Sequence, residues 1–327
     1  MANSLLPTSR SCESHTIDEL VQSDKPILLK GFVSHWPLVK LAVESGVDVA
    51  LDSLAHQYNG QPVLAFVSDV PAARFFYDNS GVRYNFEKQK TDLLTVLKAL
   101  KQGVESTLYV GSTATERCFE GFNEQHSLPL GDRKSVESLW IGNQGTVPAH
   151  FDVPSNIACC VIGRRRFTLF PPEQLENLYI HQMDLTPAGQ TVSSVDVAKP
   201  DYERFPKYRE AEHAAFVAEL EPGDALFVPS MWWHNVEALD DVNALVNFWW
   251  REEPSYMGAP AAALNHALMS IRHLPKAQRD AWRAHFEYYV FGECDLSHIP
   301  DAALGKLGEF NERVARQIRA ELQNQLK

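Results

Sequence analysis

Short apolar runs separated by turn residues dominate the first part of the chain. The runs "PILLKGFV" (26–33), "PVLAFV" (62–67) and "TLYVGS" (107–112) are bounded by polar or turn-forming residues, which predicts strands. A further strand is predicted at "GVRYNFE" (81–87), and a helix is predicted near 49–58. This mixture of strands and helices precedes a longer region with a different pattern.

One segment between these strands has the periodicity of an amphipathic helix. In "TDLLTVLKALKQG" (91–103) the leucines recur at helical intervals, so they share one face. Thr91 is a candidate N-cap, and Gly103 is a candidate C-terminal stop. The predicted apolar face consists of Leu93, Leu94, Leu97 and Leu100.

The region from Ser138 to Arg251 consists of short β-rich runs separated by Pro and Gly. Examples are "SLWIGN", "NIACCVIG", "RRFTLFPP", "AFVAELEPGDALFVPS" and "NALVNFWW". Closely spaced short strands with such turns are typical of a sandwich or barrel rather than of alternating β–α units. We therefore predict a mainly β fold with added helices, a jelly roll of the double-stranded β-helix type.

The pattern becomes helical beyond Pro254. Helices are predicted at 261–271, 278–290 and 302–325. In the last of these, one apolar stripe lies between charged faces and contains Leu304, Leu307, Val314, Ile318 and Leu322. This stripe either packs on the chain's own barrel or contacts another subunit. The predicted organisation is a β-rich domain at 1–255, with an N-terminal helix–strand elaboration, and a C-terminal helical extension at 256–327.

The composition limits the class of protein. The chain has 327 residues, of which 45% are hydrophobic and 22% are charged, so it can bury a large core in one elaborated domain or two. A formal net charge of −12 repels phosphate backbones, which makes a nucleic acid a poor candidate partner. No apolar run approaches the roughly 20 residues that span a bilayer, and residues 1–10 lack the pattern of a signal peptide. We expect a cytoplasmic protein without membrane contact.

The cysteine pattern indicates reduced thiols. Their number is odd, no Cys-x-x-Cys occurs, and the adjacent Cys159 and Cys160 are expected on opposite faces of a strand. Neither a disulfide framework nor a zinc ribbon is predicted. The five positions are Cys12, Cys118, Cys159, Cys160 and Cys294.

The stretch "PAHFDVPSN" (148–156) contains the first candidate for chemistry. His150 and Asp152 are two positions apart in a predicted strand, so both side chains can point into the mouth of the barrel while Phe151 points away. This spacing alone fits two interpretations. The pair could bind a metal, or it could be a histidine and an aspartate satisfied by hydrogen bonds at a turn.

A second stretch, "PGDALFVPSMWWHNVEAL" (222–239), supplies a third candidate ligand. His234 opens a predicted strand behind two tryptophans that would shield a pocket from water. Two histidines and one carboxylate form the ligand set that binds Fe(II) on one side and leaves three positions open. The remaining candidate histidines are expected to be structural or solvated, and they include His35, His181 and His213.

The ordered motifs together resemble a known family. "GTVPAHFDVPSNIACCVIGRRRFTLFPPEQLENLY", "PDYERFP", "EPGDALFVPSMWWHNVEAL" and "VNFWW" are similar to the JmjC-type, cupin-fold oxygenases that depend on Fe(II) and 2-oxoglutarate. The resemblance runs from about Leu139 to Trp250, and more loosely from Pro26. Within the family it is closest to the branch that contains the asparaginyl hydroxylase factor inhibiting HIF and bacterial cupin-like proteins.

The resemblance implies roles for individual residues. His150, Asp152 and His234 would be the iron ligands. The cosubstrate 2-oxoglutarate would lie beside Tyr109, Asn156, Arg165 and Asn247.

Two positions depart from the family pattern. Arg165 stands where the family normally has a lysine that binds the distal carboxylate of 2-oxoglutarate. Strand alternation predicts that Arg165 faces the pocket while Arg164 and Arg166 face away, although three solvated arginines are the simpler alternative. Val147 replaces a threonine that contacts the cosubstrate in factor inhibiting HIF, and Thr146 is one position out of phase. One hydrogen bond to the cosubstrate, worth on the order of 1 kcal/mol, is therefore in question.

The resemblance implies an oxygenase that hydroxylates a side chain of a protein or peptide. An alternative from another class is a non-catalytic cupin-like module that binds a small acid or a metal, with the positions of Val147 and Arg165 retuned to that ligand. Modification of tRNA occurs among family relatives, but the acidic net charge is unfavourable for it. A homodimer formed by the C-terminal helices is also expected, since the hydroxylase that the chain resembles dimerises through its own terminal helices.

Overall fold

The structure is a computed structural model that describes residues 17–187 and 189–326 together with the backbone of 4–5 and 8–9. Cys12 lies outside the described residues. The chain divides into two compact units, a first unit at Met1–Arg251 and a second unit at Glu252–Lys327. Among the described residues, every helix is too short or too polar to cross a membrane.

The first unit contains all the strands that the structure describes. They are β1 (Ser4–Leu5), β2 (Thr8–Ser9), β3 (Ile27–Leu29), β4 (Val63–Ser68), β5 (Glu87–Thr91), β6 (Thr107–Ala114), β7 (Val136–Gly142), β8 (Gly145–Phe151), β9 (Ser155–Ile162), β10 (Arg165–Phe170), β11 (Phe216–Leu220), β12 (Ala225–Val228), β13 (Trp233–Ala238) and β14 (Asn243–Trp250). The α-helices of this unit are α1 (Ile17–Val21), α2 (Pro37–Lys40), α3 (Val47–Gln57), α4 (Leu93–Gln102), α5 (Thr115–Cys118), α6 (Phe122–Gln125) and α7 (Tyr208–Ala214).

Two sheets form the centre of the first unit. The smaller sheet has the order β1-β11-β10-β13-β8, and the larger has the order β2-β3-β12-β9-β14-β7-β6-β4-β5. Apart from β1 with β11 and β2 with β3, the described strand pairs are antiparallel. This arrangement confirms the predicted mainly β jelly roll with added helices.

The hydrophobic core lies in three layers. The middle layer joins the inner faces of the two sheets, where Cys160 of β9 and Leu226 of β12 pack in one cluster with Phe167 of β10. A second cluster lies between the other face of the large sheet and helices that include α3 and α4, and it contains Cys159. A third cluster covers the outer face of the small sheet with α7. Cys159 and Cys160 therefore face opposite sides of β9, as the sequence predicts.

Helix α4 differs in detail from the sequence prediction. Thr91 is the last residue of β5, and Asp92 is the N-cap, with its carboxylate accepting a hydrogen bond from the Leu94 N–H. An aspartate satisfies an N-terminal donor as well as a threonine does, so the boundary moves by one residue. Leu94 is 45% exposed, and Val96 takes the place predicted for it in the buried face.

The predicted strand at 81–87 is also displaced along the chain. Residues 78–81 form a hydrogen-bonded turn, in which Gly81 has a φ of 71°. Because this turn interrupts the extended backbone, strand β5 begins only at Glu87. The edge strand of the large sheet is therefore the polar segment "EKQKT".

The second unit is helical. Its α-helices are α8 (Pro260–Ser270), α9 (Lys276–Phe286) and α10 (Glu312–Gln325), and a π-helical turn, Glu287–Phe291, follows α9. The predicted continuous helix at 302–325 is wrong. Two short 3-10 helices, Asp301–Ala303 and Gly305–Leu307, are followed by Gly308, and Asn311 then caps a new helix. Leu304 and Leu307 therefore lie outside the helix that carries the rest of the predicted stripe, namely Val314, Ile318 and Leu322.

Candidate active site

A cavity of about 600 Å³ opens into the first unit and is lined by strands of both sheets. His150 of β8, Arg165 of β10 and His234 of β13 come from the small sheet. Tyr109 of β6 and Asn247 of β14 come from the large sheet. Asp152 and Asn156 line the same cavity, which therefore contains every residue that the sequence assigns to the site.

A β-bulge in β8 determines which of its side chains reach the cavity. His150 pairs with His234, whereas Val147 pairs with Val236, so β8 has one residue more than β13 between these pairs. The extra residue shifts the alternation of the strand by one position. Val147 and His150 consequently line the same cavity although an odd number of positions separates them.

The two histidines and the aspartate converge at one place on the cavity wall. One donor atom from each of His150, Asp152 and His234 lies within 4.8 Å of the other two. The Nε2 atom of His234 is 3.7 Å from Oδ2 of Asp152, and the two imidazole centroids are 4.3 Å apart. Neighbouring strands supply the histidines, and the residue directly after β8 supplies the carboxylate.

Backbone hydrogen bonds orient both imidazoles. Nδ1 of His150 is 2.9 Å from the Pro148 carbonyl, and Nδ1 of His234 is 3.0 Å from the Trp232 carbonyl. A ring whose Nδ1–H donates to a carbonyl keeps its Nε2 lone pair free for a metal. Both rings are therefore held in the tautomer that a metal ligand needs.

A backbone hydrogen bond joins the turn before His234 to Asp152. The Met231 N–H donates to the Asp152 carbonyl at 2.8 Å, and Met231 has a φ of 68°. A left-handed backbone conformation is unfavourable for methionine and is kept only where the surrounding contacts impose it. This hydrogen bond links the two strand ends that carry Asp152 and His234.

Burial keeps His234 neutral. Its side chain is almost fully buried, which lowers the pKa of His234 to about 4. The neighbouring His150 lowers this pKa further, while Asp152 opposes the shift. Because a metal binds the neutral imidazole, a lowered pKa leaves the ring ready for coordination at neutral pH.

Arg165 is a buried cation on the same cavity. It is only 3% exposed, and its Nε–H has no hydrogen-bond partner among the described residues. The flanking arginines point the other way, where Arg164 pairs with Asp240 and Arg166 pairs with Glu219. A buried guanidinium without an anion is unfavourable, so the arrangement fits a site that receives a carboxylate.

Tyr109 lies next to this arginine. Burial raises the pKa of Tyr109 to about 12, although the charge of Arg165 and a hydrogen bond with it act in the opposite direction. The phenol therefore stays protonated at neutral pH and can donate a hydrogen bond.

A buried amide pair lies on the wall formed by the large sheet. Nδ2 of Asn247 donates to Oδ1 of Asn156 at 2.7 Å, and both residues are buried. This bond fixes the orientation of both amides. The Nδ2 group of Asn156 is left as a donor on the wall of the cavity.

The structure adds cavity residues that the sequence did not indicate. Trp140 stacks beside Tyr109 with ring centroids 6.0 Å apart, and Trp249 meets Trp140 edge-on at 5.5 Å. Lys88 and Arg117 line the cavity as well. The positions of the two tryptophans in strands could have indicated that they line the cavity. Lys88 could not have been identified in this way, because the predicted strand at 81–87 ends before it.

Comparison with known proteins places the fold in a family. The cupin-like domain family matches residues 13–256. Lysine-specific demethylase 8 of Xenopus tropicalis is 28% identical over 249 residues, which are 72% of this chain and 50% of that protein. Jumonji C domain-containing protein 5 of Drosophila melanogaster is 25% identical over 241 residues, which are 70% of this chain and 55% of that protein.

A shorter match covers part of the same region. HSPB1-associated protein 1 of Homo sapiens is 37% identical over 141 residues, which are 42% of this chain and 28% of that protein. The chain thus spans about half the length, or less, of these relatives. Because the domain match covers most of the chain, the protein belongs to the cupin-like domain family.

Proposed function

We propose that this protein is an Fe(II)- and 2-oxoglutarate-dependent oxygenase that hydroxylates a side chain of a protein or peptide. One observation carries the proposal: the donor set of His150, Asp152 and His234 shares its cavity with the buried Arg165, whose Nε–H has no hydrogen-bond partner among the described residues. The first group has the chemistry of a metal site and the second has the chemistry of a carboxylate site. Their shared cavity favours a metal-assisted reaction of a small acid.

The donor set fits ferrous iron. Two imidazoles and one carboxylate are the ligands of the facial triad, and both imidazoles already present Nε2. His150, Asp152 and His234 would therefore hold the metal. When bound, iron and 2-oxoglutarate supply oxygen activation and the oxidising equivalents for hydroxylation, with succinate and carbon dioxide as coproducts.

Arg165 and Tyr109 would bind the distal carboxylate of 2-oxoglutarate. The guanidinium offers a charge-assisted pair of donors, and the protonated Tyr109 hydroxyl offers one more. These donors would orient the cosubstrate, and its carboxylate would compensate the buried charge of Arg165. The amide pair of Asn156 and Asn247 supplies further fixed polar groups on the opposite sheet.

Apolar side chains limit the access of water to the site. Trp140, Trp249 and Phe75 line the cavity, and Val147 lines it where the resembling hydroxylase has a threonine. A valine offers no hydrogen bond to the cosubstrate, so the binding strength rests more heavily on Arg165 and Tyr109.

Hydroxylation is the finer part of the proposal. It is supported by the resemblance of residues 139–250 to the branch that contains factor inhibiting HIF. One relative is named for the demethylation of lysine, and demethylation by this chemistry also begins with hydroxylation of a carbon–hydrogen bond. A hydroxylated side chain is therefore the expected first product for either kind of substrate.

Formation of succinate tests the proposal. The purified protein is incubated with 2-oxoglutarate and oxygen, with and without ferrous iron, and succinate is measured by mass spectrometry. Iron-dependent succinate supports the oxygenase. Binding of 2-oxoglutarate without succinate would identify the non-catalytic small-acid module instead, and absence of both binding and succinate would contradict both functions.

A further inference from the structure

We propose that the substrate is an acidic peptide segment, which places carboxylate side chains at the mouth of the site cavity next to the residue that is modified. This inference rests on the proposed function, because it names the substrate class of the same site. It is carried by the charges and the strand geometry of the cavity wall.

The charged residues that line the cavity are mostly cations. They are Lys88, Arg117 and Arg165, against the single carboxylate of Asp152. Asp152 belongs to the metal donor set, so it is not free to bind a substrate cation. The part of the cavity that remains for a substrate is therefore positive, in a chain whose net charge is −12.

Two of these cations lie at the mouth. Lys88 and Arg117 are exposed, and within the described ranges neither has a salt-bridge partner. Unpaired cations on a surface dominated by acidic residues form a local site for an anion. Arg165, in contrast, is buried deep in the cavity, where the proposed function assigns it to 2-oxoglutarate.

The edge strand β5 extends this positive rim. Lys88 is in register with Phe66 of β4, and Lys90 is in register with Leu64. Both of these β4 residues line the cavity, so strand alternation places Lys88 and Lys90 on the cavity side. The acidic Glu87 of the same strand lies on the other side.

A cationic substrate side chain would meet an occupied aromatic surface. The Lys88 ammonium lies 4.7 Å from the Tyr84 ring centroid and 5.6 Å from that of Phe66. The chain's own cation thus already uses these rings for cation–π contacts, and it would repel a second cation there. An acidic segment would instead pair with Lys88 without competing for the rings.

Nucleic acid is the other polyanion that such a rim could attract. Its binding strength depends on several phosphate contacts over a broad basic surface. This chain offers only a local rim within an acidic molecule, so an acidic peptide is the better match.

The inference is tested by comparing the affinities of three matched peptides, which does not require the protein to be active. Three fluorescent peptides share one uncharged host sequence with a central Asn and differ only in flanking Glu, Gln or Lys residues. Anisotropy titrations of the metal-free protein at low salt are expected to show the Glu peptide binding about tenfold more tightly than the Gln peptide. The Lys peptide is expected to bind most weakly.

Substitutions at the rim assign the effect to this site. Lys88→Gln combined with Arg117→Gln is expected to weaken binding of the Glu peptide about tenfold, and Lys88→Glu with Arg117→Glu is expected to reverse the preference towards the Lys peptide. The matched control, Lys98→Gln with Lys134→Gln, removes the same charge from exposed lysines outside the cavity and should change little.

Three outcomes would overturn the inference: equal affinity for all peptides, no measurable binding of any of them, or displacement of the Glu peptide by a single-stranded RNA of equal charge at much lower concentration. Succinate formation by the unsubstituted protein without peptide tests the proposed function separately. Iron-dependent succinate without a peptide preference would overturn only the acidic substrate. Absence of succinate together with a preference for the Glu peptide would overturn the oxygenase and leave the rim as a binding site for an acidic segment.

Discussion

The two units of the chain differ in where they keep their apolar side chains. The first unit buries large residues completely, and Phe248 of β14 is 0% exposed. Among the described residues of the second unit, Val314 and Ala315 are the only buried hydrophobic ones, at 4% and 6% exposure. In the same unit Trp282 is 47% exposed and Phe291 is 74% exposed.

This difference in burial indicates different roles for the two units. The first unit has three packed core clusters, and they hold the strands that carry the candidate site. Close packing of this kind fixes side chains to within the distances that metal coordination needs. The second unit exposes aromatic residues that a solitary surface rarely shows, which favours a role in association.

The largest contrast is expected in stability. Phe248→Ala removes a fully buried ring and should lower the free energy of unfolding by about 3 to 5 kcal/mol. Phe291→Ala removes an exposed ring and should change the free energy of unfolding of a single chain by less than about 0.5 kcal/mol. Urea unfolding of the two variants measures both values, and losses of similar size would remove the distinction between the units.

The next contrast lies between Arg165, the first residue of β10, and the two arginines that flank it. Arg165→Leu should weaken binding of 2-oxoglutarate by about 3 kcal/mol, because it removes the buried cation that compensates the distal carboxylate. Arg164→Leu and Arg166→Leu should cost less than about 1 kcal/mol, since both residues form exposed salt bridges on the other face. Calorimetric titration compares the three, and an equal loss in all of them would contradict the assignment of Arg165.

The buried His234 should give the first unit a distinctive response to acid. Its pKa is lowered from 6.5 to about 4 in the folded chain, so it contributes stability that is complete above pH 6.5 and is lost as the pH falls through 4. The loss is on the order of 3 kcal/mol. His234→Gln should lack this part of the pH dependence. Urea unfolding of metal-free protein across that pH range compares the slopes, and parallel slopes would contradict the shifted pKa.

The smallest expected effect concerns association through the second unit. The intact protein should be a homodimer in solution, and Trp282→Glu with Phe291→Glu should raise its dissociation constant about tenfold. Val82→Glu is the matched control, because Val82 is an apolar residue of the first unit that is 62% exposed. Light scattering reads the mass, and a monomer at micromolar concentration of the unsubstituted protein would refute the dimer.

The sequence predicts much of the candidate site because the spacing of residues within a strand determines which side chains share a face. His150 and Asp152 are separated by one residue, and Arg165 alternates with its two neighbours, so strand geometry alone indicates which side chains share a face. The jelly roll is likewise predictable from the spacing of its turns. The bulge in β8 is not, because it depends on the pairing with β13 and becomes evident only from the register of the two strands.

The errors arise where a local signal competes with its context. Thr91 has the chemistry of an N-cap, but pairing with Val63 keeps it in strand β5, and Asp92 takes that role. The apolar periodicity of 302–325 continues across Gly308, but the backbone does not continue as one helix. Periodicity reports which residues prefer burial and does not report whether the helix between them is continuous.

The most direct test of the central claim is the stoichiometry of metal binding. Anaerobic dialysis against ferrous iron, followed by metal analysis, should find one iron per chain in the unsubstituted protein and in the control Asp241→Ala, and none in Asp152→Ala. Circular dichroism should show that Asp152→Ala keeps the fold, because Asp152 lies at the end of β8 rather than in the packed core. Equal iron in all three proteins would contradict the claim that His150, Asp152 and His234 form the metal site.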